Sequence, residues 1–218
     1  MQNQLHKMMT DGPAGKLEAL LGIPASTPIG MAIVAHPHPL HGGTMNNKVV
    51  QTIFTTLLQL GFLCVKFNFR GVEQSQGSFD HGIGEIADVI AVTQSIRDQY
   101  PALLPRLPLL LAGFSFGGAV QLHAAQILNP QYLILVAPSV VHLQAPPVPE
   151  FTAYALIVQG DKDDIVPPEA VLDWAAPTSQ PIVFIPGAEH FFHGKLLILK
   201  QLITREFSYP IIQPADAE

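Results

Sequence analysis

Six short stretches of this chain read as strands, at residues 31–35, 62–69, 107–114, 133–137, 155–159 and 182–185, and most of them are apolar throughout. A strand with one wet face alternates apolar and polar side chains, so unbroken apolar runs require cover on both faces. The intervening sequence supplies that cover. Val49, Val50, Ile53, Phe54, Leu57 and Leu58 fall near helical spacing, which predicts a helix over 46–60. Ile86, Val89, Ile90 and Ile96 predict another over 83–100. Further helices are expected over 116–128, 168–176 and 195–207. Strands alternating with helices imply an α/β class, with a mostly parallel central sheet flanked by helices on both faces. Residues 17–21 are expected to add an early antiparallel strand. The chain, 1–218, reads as a single domain with a core over about 15–208 and a flexible tail over 213–218. Prolines at 146–149 and 167–168 redirect the chain between elements and mark no boundary.

Composition narrows the function. Hydrophobic residues make up 48% of the chain and charged residues 13%, which suits a packed core and not a disordered segment. The net charge is −6 with no block of Lys and Arg, so a nucleic-acid partner is not expected. The single cysteine, Cys64, lies in an apolar run and reads as a small buried hydrophobe. The polar N-terminus carries no signal-peptide pattern, and no apolar run reaches the roughly 18–20 residues that span a bilayer. A cytoplasmic protein with no membrane partner is the expectation.

Chemistry enters at Gly113-Phe114-Ser115-Phe116-Gly117. This Gly-x-Ser-x-Gly follows an apolar strand and opens a helix. In that context the glycines let strand and helix approach closely, and the serine sits on a strained turn that exposes its hydroxyl at a helix N-terminus. Ser115 is therefore the candidate nucleophile. A serine hydroxyl needs a base within hydrogen-bond reach, and the base needs an orienter. After the 155–159 strand comes Gly160-Asp161-Lys162-Asp163-Asp164-Ile165-Val166-Pro167. Asp163 is the preferred acid at the C-terminal end of that strand, where catalytic groups of open parallel sheets gather. Asp161 and Asp164 are its rivals. After the next strand comes Gly187-Ala188-Glu189-His190-Phe191-Phe192-His193, in which His190 is the preferred base and His193 its competitor.

These residues resemble the α/β hydrolases, most closely the small bacterial hydrolases related to dienelactone hydrolase and short-chain carboxylesterases. The resemblance rests on the order Ser115, Asp163, His190, on the block from His36 to Asn47 (HPHPLHGGTMNN), on Phe67-Asn68-Phe69-Arg70-Gly71, on the serine turn, and on His190-Phe191-Phe192-His193. It spans about residues 30 to 205. It implies an α/β-hydrolase fold, no cofactor, and hydrolysis through an acyl-enzyme. Two features depart from the pattern. Dienelactone hydrolase itself uses a cysteine nucleophile, and Glu73 stands where related sequences often carry glycine.

A tetrahedral intermediate needs N–H donors. One is expected from Phe116, directly after the nucleophile, and another from the loop after the 31–35 strand. Pro37 and Pro39 carry no N–H, which leaves His38 first and Leu40 second; the resemblance also aligns His38 with the donor. Leu40, Met45, Phe116, Phe191 and Phe192 are candidates to line the substrate pocket, or else to belong to the core. The segment 139–153 is too short for a large lid, so an open, shallow site and a small acyl group are expected, as in a short-chain carboxylesterase acting on a small-molecule ester. Thioesterase and peptidase chemistry fit the same residues. So do two readings of other kinds: a metal hydrolase using His36, His38 and His41, and a non-catalytic binding protein on a hydrolase scaffold. The sequence is equally compatible with a monomer and a homodimer.

Overall fold

In the computed structural model, which describes residues 2–101 and 107–208, the first five of these runs form the inner strands of one eight-stranded sheet and the sixth, at 182–185, forms an edge strand. The chain runs through β1 (Gln4–Gly12), β2 (Gly15–Ile23), β3 (Met31–Ala35), α1 (Lys48–Gln59), β4 (Leu63–Phe67), α2 (Ile83–Gln99), β5 (Leu109–Phe114), α3 (Phe116–Leu128), β6 (Tyr132–Val136), β7 (Tyr154–Gly160), α4 (Pro168–Ala175), β8 (Val183–Ile185) and α5 (Leu196–Ser208). The strand order is β1-β2-β4-β3-β5-β6-β7-β8. Pairings β1/β2 and β2/β4 are antiparallel, and all others are parallel. This is the α/β-hydrolase fold.

Every residue of β3, β4, β5 and β6 is buried, as continuous apolar strands require. Alternate side chains sort into two layers. Ile33, Leu111 and Leu135 join Val89, Val92 and Val120 of α2 and α3. Val34, Leu110 and Ile134 join Ile53, Leu57, Leu199 and Ile203 of α1 and α5. Cys64 is fully buried in this second layer, and burial pushes its thiol pKa well up, so it behaves as a small apolar residue. Asn47 starts α1 by accepting the Val49 N–H at 2.8 Å.

The N-terminal edge corrects the sequence reading. The antiparallel strand at 17–21 is longer than expected, and β1 precedes it, so ordered structure begins well before residue 15. β1 pairs with β2 from Gln4 opposite Ile23 to Gly12 opposite Gly15. Residues 4–7 are exposed and only Met8 packs partly against the core, so backbone pairing more than apolar burial defines the strand, and periodicity carries little trace of it. Thr10, its one buried side chain, donates to Ser95 Oγ on α2 at 2.6 Å. The tail at 213–218 lies outside the described residues. Among the described residues, no helix is long and apolar enough to cross a membrane.

The topology places the site. From β3 the chain passes to β4 on one side, and it then reaches β5 on the other. At such a reversal the loops leaving the two neighbouring strands diverge and open a crevice at their C-terminal ends. The loop 36–47 leaves β3 there and Ser115 leaves β5. Asp163 and His190 follow β7 and β8 at the same edge.

Candidate active site

Ser115 occupies the single residue between β5 and α3, with φ 55° and ψ −118°. A non-glycine residue in this region is strained, and the surrounding structure holds it. Its N–H donates to Val136 O at 2.9 Å, while its carbonyl accepts from Gly118 at 2.9 Å and Ser139 at 3.1 Å. The flanking glycines are needed for close approach: a Cβ on Gly113 would run into the Gly117 carbonyl, and one on Gly117 into the carbonyls of Ala35 and His36. The crowding at Gly117 shows how closely the strained turn packs on the start of the β3 loop.

Three side chains from three loops meet. His190 Nε2 lies 3.0 Å from Ser115 Oγ, and His190 Nδ1 lies 2.8 Å from Asp163 Oδ2. All three are buried, with Ser115 6% exposed. With Nδ1–H donated to the carboxylate, Nε2 is free to accept the serine proton. Asp163 is fixed from several directions. Its Oδ1 accepts the N–H groups of Ile165 at 3.0 Å and Val166 at 2.7 Å, and its Oδ2 also accepts from Gln159 Nε2 at 3.1 Å. The rivals lie apart from this set. Asp161 accepts the Gly187 N–H and is exposed, Asp164 is exposed, and so is His193. Gln159 is a member of the site that sequence patterning does not single out. It is fully buried at the end of β7, with Nε2 also bonded to Val166 O at 2.9 Å, and its only sequence signal is a polar residue closing an apolar strand.

The candidate oxyanion donors lie beside the serine. Phe116 is the first residue of α3, so its N–H has no acceptor within the helix. The His38 ring packs on the Phe116 ring at 4.9 Å, and His38 and Ser115 line the same cavities. Among the described residues, none accepts the His38 N–H. Leu40 is excluded as its substitute, because its N–H turns back to His38 Nδ1 at 3.2 Å. The loop is pinned from below. Met45 N–H donates to Asn68 Oδ1 at 2.8 Å, and the buried Lys66 ammonium donates to Met45 O at 3.0 Å. Glu73 has φ 49°, in the left-handed region that favours glycine, the residue that the family resemblance leads one to expect there.

His36, His38 and His41 do not form a shared ligand set. His36 is fully buried with both ring nitrogens engaged: Nε2 accepts the Phe69 N–H at 3.0 Å and Nδ1 contacts Pro37 O at 2.7 Å. Burial lowers its pKa to about 4, so the ring is neutral and carries its proton on Nδ1. His38 and His41 instead stack on each other at 4.4 Å. Burial and the imidazoles of His41, His142 and His81 lower the pKa of His38.

Two cavities meet at Ser115, of about 530 Å³ and about 100 Å³. Their walls revise the expected pocket. Of the four candidates beyond Phe116, Phe191 lines the smaller cavity. Phe192 is fully buried among Leu199 and Ile203, turned inward at φ 54°. Met45 is buried, and Leu40 is 67% exposed; neither lines these cavities. The site is also roomier than the shallow one expected, because the larger cavity falls within the roughly 300–1,000 Å³ range of small-molecule sites. Beside His38, His41, Ser115 and Phe116, its walls come from residues not expected there: Ser139, Val140, Val141 and His142 after β6, and Ile165, Val166, Pro167 and Ala170 after β7.

A family model described as serine aminopeptidase, S33, matches residues 38–154. A structure of an α/β serine hydrolase homologue from Coxiella burnetii is 40% identical, covering 94% of this chain and 98% of that one, with a TM-score of 0.84. A structure from Xanthomonas campestris, described as a member of the α/β serine hydrolases without lid, is also 40% identical, covering 93% of each chain, with a TM-score of 0.81. An uncharacterized protein of Rickettsia prowazekii is 34% identical over 92% of this chain and 84% of its own length.

Proposed function

From the premise that this chain belongs to the α/β serine hydrolases, in the serine aminopeptidase S33 family, we propose that it hydrolyses small uncharged carboxylic esters through an acyl-enzyme on Ser115. The observation that carries the ester reading is the hydrogen-bonded chain Ser115–His190–Asp163 at the junction of two cavities whose described walls hold no Asp or Glu. An aminopeptidase substrate brings an α-ammonium group, and a desolvated ammonium without a carboxylate partner is costly to bind. A neutral ester has no such need.

In this mechanism His190 Nε2 accepts the proton of Ser115 Oγ as that oxygen attacks the ester carbonyl. Asp163 holds the imidazole in the productive tautomer and stabilises the imidazolium. The N–H groups of Phe116 and His38 receive the oxyanion. His190 then protonates the departing alkoxide, the carbon–oxygen bond breaks, and the acyl group remains on Ser115. Water, deprotonated by His190, releases the carboxylic acid and restores the serine.

A pH-stat assay of methyl butyrate hydrolysis, run beside an alanyl anilide, tests the reading. Ester turnover falling by about 10⁴-fold or more in Ser115→Ala, with the anilide uncleaved by wild type, is the expected result. Anilide cleavage faster than ester cleavage would overturn it in favour of peptidase chemistry.

A further inference from the structure

The two cavities at Ser115 differ in size by about fivefold, about 530 Å³ against about 100 Å³, and they border different parts of the machinery. His190 and Phe191 line the smaller one, with Gly42, Gly43 and Asn47. Phe116 lines the larger one, with Val140, Val141, Val166 and Ala170. Ester cleavage gives these walls different partners. The leaving oxygen must take a proton from His190 Nε2, so the alcohol part lies on the His190 side. The carbonyl oxygen must reach the Phe116 N–H, and the carbon skeleton behind it stays attached to Ser115 after the alcohol departs.

We infer that the site takes esters of a small alcohol, of methanol or ethanol size, with an uncharged apolar acyl group several carbons long. This assignment rests on the ester hydrolase reading and adds a direction to it: acyl group in the larger cavity, alcohol in the smaller. The smaller cavity lies below the volume range of sites that hold a whole ligand, whereas the larger lies inside it. Where the acyl wall meets solvent it presents the aliphatic side chains of Val141 and Ile165 beside the exposed imidazoles of His41 and His142. Val141 is 70% exposed and Ile165 57% exposed, and an acyl chain lying against them would remove apolar surface from water. No Asp, Glu, Lys or Arg appears among the described residues lining either cavity, so neither arm of the substrate meets a fixed charge.

The test compares two isomers, methyl hexanoate and pentyl acetate, which share a formula and differ in which arm is long. Proton release is followed at constant pH. Methyl hexanoate should have the higher kcat/KM by about 10-fold or more, since a single methylene in an apolar pocket discriminates by roughly 10–200-fold. Val141→Trp, a change at an exposed position that narrows the larger cavity, should collapse that ratio. Equal turnover of the two isomers, a preference for pentyl acetate, or a ratio unmoved by Val141→Trp would each overturn the assignment while leaving the ester reading standing. Hydrolysis of neither isomer would overturn both.

Discussion

Gln159 and Asp163 are joined by a hydrogen bond to the same carboxylate oxygen that faces His190: Gln159 Nε2 lies 3.1 Å, and His190 Nδ1 2.8 Å, from Asp163 Oδ2. A carboxylate free to rotate would let the imidazole tilt away from the serine. The Gln159 amide, itself fully buried and tied to Val166 O, opposes that rotation. Gln159 is thus a positioning residue, acting through Asp163 and touching no reacting atom.

Gln159→Leu removes this donor at similar size. A lost hydrogen bond to a charged group is worth about 1.5–3 kcal/mol, so kcat should fall about 10-fold or more. KM for a small ester should stay within about twofold, because Gln159 lines neither cavity at Ser115. Steady-state kinetics on the two proteins checks the split. A loss carried by KM alone would contradict the positioning role.

Stability should depend on pH through His36. Its pKa is about 4 in the folded chain against an ordinary 6.5, with burial as the larger cause. Above pH 6.5 the ring is neutral folded or unfolded and contributes no pH dependence. Between pH 6.5 and about 4 the unfolded chain binds a proton that the folded chain does not, so stability falls as pH falls through that window. The full shift corresponds to about 3 kcal/mol. Urea unfolding at pH 7 and pH 4.5 should show wild type losing more stability than His36→Gln, which keeps an amide donor and acceptor but does not titrate. Equal losses would exclude His36 as the source.

Gly117→Ala tests the packing behind the nucleophile. The added Cβ meets the backbone carbonyls of Ala35 and His36, neither of which can swing aside as a side chain would. Overpacking of this kind costs about 1–3 kcal/mol. Ester turnover should fall with it, since relief requires β3 and the serine turn to separate. Wild-type unfolding midpoints in the variant would contradict the close approach.

The order of elements and the positions of Ser115, Asp163 and His190 are legible in the sequence because each rests on a local rule. Inner strands must be apolar on both faces, and the loops at their C-terminal ends must carry the polar chemistry. β1 is not legible, since an edge strand held by backbone pairing leaves little apolar pattern. Phe191 and Phe192 are neighbours with the same side chain, yet a positive φ at Phe192 sends one to the core and leaves the other on a cavity wall. No periodicity encodes that turn. The larger cavity escapes for a related reason: its walls come from four separate segments, after β3, β5, β6 and β7, that only the sheet order brings together.

The most direct measurement is labelling of the native protein by a fluorophosphonate, read by intact mass and peptide mapping. This reagent requires a serine activated by its base. Wild type should take up one label, on the peptide containing Ser115; Ser115→Ala should take up none, and His190→Ala should react far more slowly. An unlabelled wild type, or a Ser115→Ala protein labelled as readily as wild type, would contradict the assignment of Ser115 as an activated nucleophile.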